Sequence, residues 1–408
     1  MRKVYADHSA TTKPRPEVIQ SMLEVLENDF GNPSSIHQSG RKAKKHLCDA
    51  RVSIASVINA SEEEIFFTSG GTESDNTVIF GIEKLIEDNL LKNKERHIIT
   101  TKIEHPAVKE PLEYLEKHGW KITWLNVNNE GFIDIEELKN KITSKTSLVS
   151  VIHANNEIGT IQNLKTISSI CKEKNVLLHS DTIQSFGKIP IDVKELDIDF
   201  ISMSSHKIYG PKGVGAVYIK STKKLAPVFI GGPQESGVRP GTENLPGITG
   251  FGRAAKLINE EMPKNIQKLR GLQIELMKGF TNNEYIILTG VGLEKYMHRL
   301  PGHVSICAKN IEGENLVLQT DLKGIQASSG SACSSGSLEP SHVLTAINIP
   351  KDFIRGSLRL TLGRENTEED VKYIIESITN IVNNLTNNDM LSKTGYVIAR
   401  SVSDKAIS

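Results

Sequence analysis

The feature that most limits what this chain can fold into is the alternation of short apolar runs with longer amphipathic stretches over its first two-thirds. The apolar runs predict buried strands, and the amphipathic stretches between them predict helices. This pattern builds a mostly parallel sheet that helices cover on both faces, so we predict the α/β class. The predicted strands are Glu64–Ser69, His97–Lys102, Leu148–His153, Val176–Ser180, Phe200–Ser204 and Gly215–Lys220.

The pattern changes near Gly247, where a long helical stretch, Gly250–Thr281, leads into a region with fewer strands and a final helix at Glu368–Leu385. We predict a large α/β domain at residues 15–250 and a smaller α+β domain made of residues 1–14 and 251–387. Residues 388–408 show no strong periodicity, which predicts a loosely ordered tail. The helices predicted for the large domain include Pro16–Asn28, Gly40–Asn59, Asp75–Asp88, Pro106–His118 and Leu164–Lys174.

The composition excludes several classes of protein. Of 408 residues, 38% are hydrophobic and 24% charged, which is typical of a soluble globular protein. Lys plus Arg equals Asp plus Glu at 49 each, so no excess charge favours direct contact with nucleic acid or a membrane. The N-terminus lacks a signal-peptide pattern, and four scattered cysteines without a CxxC motif predict reduced thiols and no metal site. We therefore predict a cytoplasmic location.

The first predicted strand is followed by TSGGTESDN, where Gly70 and Gly71 precede a helix that Thr72 opens. Glycines allow the backbone to approach an anion closely, and a helix N-terminus offers N–H donors and the positive end of its dipole. This arrangement predicts a phosphate-binding turn. Its spacing matches neither a Walker A motif nor a dinucleotide fingerprint, so a capped helix after a tight turn is the simpler alternative.

Polar side chains also follow the next four predicted strands, at the edge where ligands bind to open α/β sheets. Each has an ordinary structural explanation, such as a turn-forming Asn or a solvated Lys. Together, however, they supply the parts that one ring cofactor needs: an imidazole to stack, a carboxylate for a protonated ring nitrogen, amides, and an amine for a Schiff base. In chain order they are His105, Asn155, Asn156, Asp181, Gln184, Ser204, His206 and Lys207.

A second anion-binding signal lies in ESGVRPGTENLPG, where Thr242 and the neighbouring backbone are placed to hold a phosphate oxygen. The same loop is equally well explained as a structural connection between domains.

The chain resembles the cysteine desulfurases of the NifS/IscS-like group, which belong to the class V aminotransferase branch of fold-type I pyridoxal-5′-phosphate (PLP) enzymes. The resemblance extends from near residue 4 to about Leu385. It departs from the family at Ser180 and Thr182, where Val and Ala are commoner, and at Pro233. The motifs that carry it are HSATT (His8–Thr12), FGNPSSIH (Phe30–His37), SGGTESDN, HANNEIG, HSDTIQS, SSHKIYGPKGVGA, RPGTEN and SSGSACSSG.

The resemblance implies a role for each candidate residue. Lys207 forms the aldimine with PLP, Asp181 pairs with the pyridine nitrogen, and His105 stacks on the ring. Arg359 in SLRLTLGREN clamps the substrate carboxylate, which suits the fork shape of a guanidinium. The remaining assignments are Gln184 and Asn156 at the ring hydroxyl and substrate, Gly71, Thr72, Ser204 and His206 at the phosphate, and Thr242 at the phosphate of the partner in a homodimer.

Cys333 determines which reaction the resemblance implies. It lies in QASSGSACSSGSLEPSH, a segment too rich in Gly and Ser to bury much apolar surface, so we predict a mobile loop. An exposed thiol on such a loop suggests use, although an incidental loop cysteine is the alternative. The other three cysteines, Cys48, Cys171 and Cys307, are predicted to be small buried hydrophobic residues.

The implied reaction converts L-cysteine to L-alanine and leaves the sulfur as a persulfide on Cys333, from which a sulfur-acceptor protein takes it. In the family, the acceptors are iron–sulfur scaffolds and thiolation proteins. A selenocysteine lyase and a class V aminotransferase remain alternatives on the same scaffold. A non-catalytic protein that keeps the fold is the alternative from another class.

Overall fold

The computed structural model describes residues 2–330 and 340–403, with side chains as far as residue 386. The strands are β1 (Val4–Tyr5), β2 (Ile65–Thr68), β3 (His97–Thr101), β4 (Lys121–Leu125), β5 (Leu148–Ser150), β6 (Leu177–Asp181), β7 (Phe200–Ser204), β8 (Gly215–Ile219), β9 (Ile286–Leu288), β10 (His303–Ala308), β11 (Ile325–Gln326) and β12 (Ser357–Thr361). The helices are α1 (Pro16–Glu27), α2 (Gln38–Val57), α3 (Gly71–Glu87), α4 (Pro106–Lys117), α5 (Ile135–Lys141), α6 (Leu164–Glu173), α7 (Val193–Leu196), α8 (Leu245–Phe280), α9 (Gly313–Leu322), α10 (His342–Ala346) and α11 (Glu368–Ser403).

A seven-stranded sheet in the order β2-β8-β7-β6-β5-β3-β4 forms the centre of the larger part. Strand β8 runs antiparallel to both of its neighbours, and all other pairs are parallel. Strand β2 therefore points the same way as β7, and the carboxyl ends of β2, β3, β5, β6 and β7 lie at one edge. The predicted α/β class with a mostly parallel sheet is confirmed.

Helices bury their apolar sides against both faces of this sheet, because its central strands are apolar on both sides. On one face, residues of α3 and α4 such as Ile82 and Leu112 pack with sheet residues such as Ile98. On the other face, residues of α2, α6 and α8, among them Ile54 and Phe251, form the largest buried cluster. The sheet is thus held rigidly, and the side chains at its carboxyl edge have a fixed base.

A second, antiparallel sheet in the order β12-β10-β9 packs with the C-terminal end of α8 and the N-terminal half of α11 around a separate buried cluster. The N-terminal arm joins this part, because β1 pairs in parallel with β11. Helix α8 is 36 residues long and contributes to both clusters, from Leu245 at its start to Phe280 at its end. The domain boundaries given above stay a prediction.

Three details differ from the sequence-based expectations. Strand β4, an edge strand of the large sheet, was not predicted. Helix α11 runs to Ser403, whereas we expected a loosely ordered tail from residue 388. Cys48 is exposed, so the prediction that it is buried is wrong: the inward residues of α2 include Leu47 and Ala50, and Cys48 faces away from them. Cys171 and Cys307 are buried as expected. Among the described helices, none is both long and apolar enough to cross a membrane.

Candidate active site

The carboxyl edge of the large sheet opens into a cavity of about 320 Å³, within the range of small-molecule sites. Nine of the residues singled out from the sequence line it, together with Arg359 from the second sheet. They are Gly71, Thr72, His105, Asn156, Asp181, Gln184, Ser204, His206 and Lys207.

One end of the cavity is built to receive an anion. Helix α3 begins there at Gly71, and the first N–H groups of a helix lack partners within the helix. A Cβ at Gly71 would lie 2.2 Å from Ile183 Cδ1, so any larger residue here would have to displace the Ile183 side chain. The Ser204 hydroxyl is buried and has no hydrogen-bond partner among the described residues. A bound anion would satisfy the Ser204 hydroxyl and the first N–H groups of α3 together.

Asp181 is the last residue of β6 and is 3% exposed. Its Oδ1 accepts a hydrogen bond from the backbone N–H of Ile183 at 2.9 Å. Burial raises the pKa of its carboxyl to about 6, although the Ile183 N–H and the nearby charge of Lys207 favour the ionised form. A buried carboxylate of this kind gains from a cationic group in the cavity, so the site suits a protonated ring nitrogen.

Two further carboxyl groups lie buried behind Asp181. Burial raises the pKa of Asp75 well above its usual range, and the charge of Asp181 acts in the same direction. Burial also raises the pKa of Glu104 to about 8. Neighbouring buried carboxyls resist ionising together, so burial favours the neutral forms of Asp75 and Glu104 and leaves the negative charge to Asp181.

Lys207 lies in the turn that follows β7, and the N-terminal arm covers it. Its Nζ donates to the carbonyl oxygens of Ser9 at 2.6 Å and Ala10 at 2.8 Å. Thr12 fixes the arm to the same turn: its hydroxyl donates to the His206 carbonyl at 2.9 Å and accepts from the Tyr209 N–H at 2.6 Å. The arm therefore closes one side of the cavity around the lysine.

His105 is the N-cap of α4, and its Nδ1 accepts a hydrogen bond from the Ala107 N–H at 3.1 Å. The proton of the neutral ring is therefore on Nε2. Burial lowers the pKa of His105 to about 4, and the charge of Lys207 adds to this effect. The ring is thus neutral at pH 7 and held in one orientation by the helix that it caps.

Arg359 in β12 brings a guanidinium to the opposite side of the cavity and is 4% exposed. Its Nη2 forms an ion pair with Asp7 Oδ1 at 3.0 Å, and its Nη1 donates to the Asn156 carbonyl at 3.0 Å. Its Nε is buried without a partner among the described residues. The Nε–H of the Arg359 guanidinium is therefore available to bind a carboxylate.

Two predicted residues lie away from the cavity lining, and a third lies outside the described residues. Thr242 is exposed on the loop before α8. Asn155 holds the turn after β5 through its side chain, which donates to the Ile103 carbonyl and accepts from two N–H groups. Cys333 falls within residues 331–339 and so lies outside the part of the chain that the structure describes.

The family model described as aminotransferase class-V matches residues 4–374, which is most of the chain. The chain belongs to the class-V aminotransferase family. A cysteine desulfurase IscS of Clostridium botulinum is 48% identical over 381 residues, which cover 93% of this chain and 94% of the relative.

Solved structures agree with this family. A protein described as NifS-like superimposes with a TM-score of 0.85 at 37% identity, covering 94% of this chain and all of that one. A structure entitled SspA in complex with cysteine superimposes with a TM-score of 0.77 at 33% identity, covering 90% of this chain and all of that one. The predicted resemblance to NifS/IscS-like cysteine desulfurases is confirmed.

The two residues at which the chain departs from its family near Asp181 do not line the cavity. The Ser180 hydroxyl donates to the Val151 carbonyl at 2.7 Å, and the Thr182 hydroxyl donates to the Ser202 carbonyl at 2.8 Å. Both hydroxyls are thus satisfied by the backbone of the sheet. The cavity is lined by other residues.

Sequence reasoning missed several residues of the site. Asp7 and the carbonyls of Ser9 and Ala10 were not assigned roles, although HSATT was noted as a motif. Asp75 lies in the quoted segment SGGTESDN and Glu104 directly precedes His105, but nothing in the sequence shows that they are buried near Asp181. A carboxylate within an apolar run or at its end was the only available signal, and it singled out Asp181 alone.

Proposed function

We propose that this chain is a cysteine desulfurase that binds PLP in the 320 Å³ cavity and transfers sulfur from L-cysteine to Cys333. One observation carries the proposal: a lysine, a buried carboxylate and a capped imidazole converge there beside an anion-binding helix N-terminus. The similarity to proteins named cysteine desulfurases supports the choice of reaction.

The residues present fit PLP at both ends. The phosphate would bind at the N-terminus of α3 with Gly71 and Thr72, where the unpaired Ser204 hydroxyl and His206 add contacts. Asp181 would pair with the ring nitrogen, and Lys207 supplies the amine to which the cofactor aldehyde attaches. When bound, PLP provides a ring that holds the electron pair released at the substrate α-carbon.

The proton transfers fall to Lys207 and His105. Lys207 Nζ, as a neutral amine, takes the α-proton of the substrate. His105 stacks on the ring and presents its Nε2–H, since Nδ1 is already used to cap α4. A neutral imidazole whose Nε2 carries the proton can accept another proton only at Nδ1. His105 therefore exchanges a proton by releasing the cap of α4, accepting at Nδ1 and donating from Nε2.

Arg359 binds the substrate carboxylate, with Asn156 beside it. The guanidinium is charged and buried, and its Nε lacks a partner, so a carboxylate can bind without the loss of the contact to Asn156. The ion pair with Asp7 competes for Nη2. We infer that the substrate takes the place of Asp7 on at least one nitrogen of the fork.

The sulfur transfer itself requires Cys333. Its thiolate Sγ attacks the sulfur of L-cysteine, so that an S–S bond forms while the Cβ–S bond breaks. The electron pair of the broken bond stays with the carbon skeleton, which takes up one proton and leaves as L-alanine. The persulfide then passes to an acceptor, either an iron–sulfur scaffold or a thiolation protein.

The proposal includes a homodimer in which Thr242 contacts the phosphate of the partner. The exposed position of Thr242, away from the cavity of its own chain, is compatible with this role. A cytoplasmic location and the absence of direct contacts with membranes or nucleic acid complete the proposal.

The test is to mix purified protein with L-cysteine and measure L-alanine, sulfide and protein persulfide without a keto-acid acceptor. Wild type should produce equal amounts of alanine and released or bound sulfur. Cys333→Ser should keep the visible absorbance of bound PLP and lose persulfide, whereas Lys207→Ala should lose that absorbance.

Other outcomes would favour the alternatives. Amino transfer that needs a keto acid would indicate an aminotransferase, and turnover of selenocysteine alone would indicate a selenocysteine lyase. A wild-type protein that never binds PLP would favour a non-catalytic role.

A further inference from the structure

Lys188 is a buried lysine that no step above uses. It lies just past β6 and donates from Nζ to Gln184 Oε1 at 3.1 Å. Gln184 in turn donates from Nε2 to the Ser9 carbonyl at 2.9 Å, the same oxygen that accepts from Lys207 at 2.6 Å. Three hydrogen bonds therefore connect the Lys188 ammonium to the Lys207 amine.

This chain of hydrogen bonds determines how the Gln184 amide is oriented. An ammonium group only donates, so the Gln184 atom that faces Lys188 must be the oxygen. The amide nitrogen must then face the other way, where one of its protons binds Ser9 and the second is available to the active-site cavity that Gln184 lines. The Ser9 carbonyl only accepts and so requires the same orientation, which means that Lys188 and Ser9 hold the amide from opposite ends. Without Lys188 only the bond to Ser9 would oppose a turn that presents an acceptor to the cavity.

The surroundings of Lys188 are strongly positive. It borders a small cavity of about 40 Å³ behind Lys207, and no Asp or Glu is among the described residues that line this cavity. Burial, together with the charges of Lys207 and Arg359, lowers the pKa of Lys188 to about 7. The titratable and charged groups that line the two cavities beside Lys188 and Gln184 are Lys207, Arg359, Arg364, His8, His105, His206, His303, Tyr209 and Asp181.

We propose that Lys188 is a positioning residue of the active site, which fixes Gln184 so that its N–H points into the cavity. This inference rests on the proposed function, since the donor would serve the oxygen on the PLP ring. The hydrogen bond from the Lys188 ammonium holds Gln184 as a donor toward the cavity, and the Lys188 charge opposes a further positive charge at Lys207.

The test compares Lys188→Met with wild type by two measurements on PLP itself. One is the dissociation constant of PLP, and the other is the pH midpoint of the visible absorbance band of bound PLP. Losing one oriented donor should raise the dissociation constant about fivefold. Losing a neighbouring positive charge should move the midpoint up by about one unit, because the protonated form is then opposed less.

Lys188→Arg keeps the charge and the donor and should restore both values to near those of wild type. Lys194→Met removes an exposed lysine six residues along the chain and serves as the matched control. In a Gln184→Leu background, Lys188→Met should change the dissociation constant by less than about twofold, because the residue through which it acts is gone.

Two results would overturn the inference. One is a Lys188→Met protein that matches Lys194→Met in both measurements, and the other is an undiminished effect of Lys188→Met on affinity in the Gln184→Leu background. If Lys188→Met does not fold, as judged by circular dichroism, Lys188→Gln replaces it in the same comparisons. A wild-type protein with no visible band in excess PLP would instead contradict the proposed function, and this inference with it.

Discussion

At the scale of single residues, Ser204 combines a cost in stability with a role in binding. Its buried hydroxyl has no partner among the described residues, and such a group destabilises the folded state. Ser204→Ala should therefore raise the free energy of unfolding of the cofactor-free protein by about 1 kcal/mol. The same change should weaken PLP binding by at least about tenfold, because a hydrogen bond to a charged phosphate is lost.

Ser205 offers a matched control beside it. Its hydroxyl is also buried without a partner among the described residues, but it does not line the active-site cavity. Ser205→Ala should give a similar gain in the free energy of unfolding, measured in urea, and leave the dissociation constant of PLP unchanged. Equal weakening of PLP binding in both variants would contradict the assignment of Ser204 to the phosphate.

At the scale of elements, the N-terminal arm matters because it connects β1 to the lysine turn. Thr12→Val removes two hydrogen bonds that hold the arm against His206 and Tyr209. We expect the free energy of unfolding to fall by about 1–2 kcal/mol and PLP to bind several-fold more weakly, because the carbonyls that contact Lys207 shift with the arm. Equilibrium unfolding and a PLP titration measure the two effects.

Thr320→Val controls for the loss of a buried threonine hydroxyl, since Thr320 in α9 bonds only to a carbonyl of its own helix. Thr320→Val should lower the free energy of unfolding without changing the affinity for PLP. If Thr12→Val destabilised the protein and left PLP affinity at the wild-type value, the arm would be a structural feature only.

The elements of the large sheet were largely predictable, because periodicity and capping residues are local signals. Strand β7 matches its predicted range, β3 and β8 end one residue earlier than predicted, and β6 is shifted by one residue at both ends. Strand β4 was missed, since the short edge segment Lys121–Leu125 mixes exposed and buried positions. The antiparallel direction of β8 depends on how residues 205–214 lead back from β7 and on pairing with β2, which no local pattern reveals.

At the scale of the whole molecule, the site depends on contacts between distant parts of the chain. Asp7 meets Arg359 across 352 positions, and Ser9 meets Gln184 across 175. The sequence therefore predicted the residues that follow the strands, because the parallel sheet brings them to one edge. It could not predict the carbonyls of the arm or the buried carboxyls, whose roles arise only from three-dimensional packing.

Buried ionisable groups also make the stability of the whole molecule depend on pH. Burial raises the pKa of Glu104 to about 8 and that of Glu157 to about 7, and it raises the pKa of Asp75 as well. The folded state thus keeps protons that the unfolded state releases above about pH 4, so stability falls as the pH rises toward these values. Buried histidines have the opposite effect below about pH 6.5, where they make stability rise with pH. Lys188 likewise makes stability rise with pH above about pH 7.

The contribution of Glu104 can be separated by comparing variants between pH 6.5 and pH 8. In this window Glu104 is mainly protonated in the folded protein and ionised in the unfolded one. Its titration should therefore lower the free energy of unfolding of the wild type by about 2 kcal/mol as the pH rises. Glu104→Gln lacks this titration. Between pH 6.5 and pH 8, the decrease in its free energy of unfolding, measured in urea, should therefore be smaller than that of wild type by about 2 kcal/mol. Glu195→Gln, at an exposed ion pair, should give a curve parallel to wild type. A parallel curve for Glu104→Gln as well would mean that Glu104 is ionised in the folded protein, and Asp181 would then not carry the negative charge of the site alone.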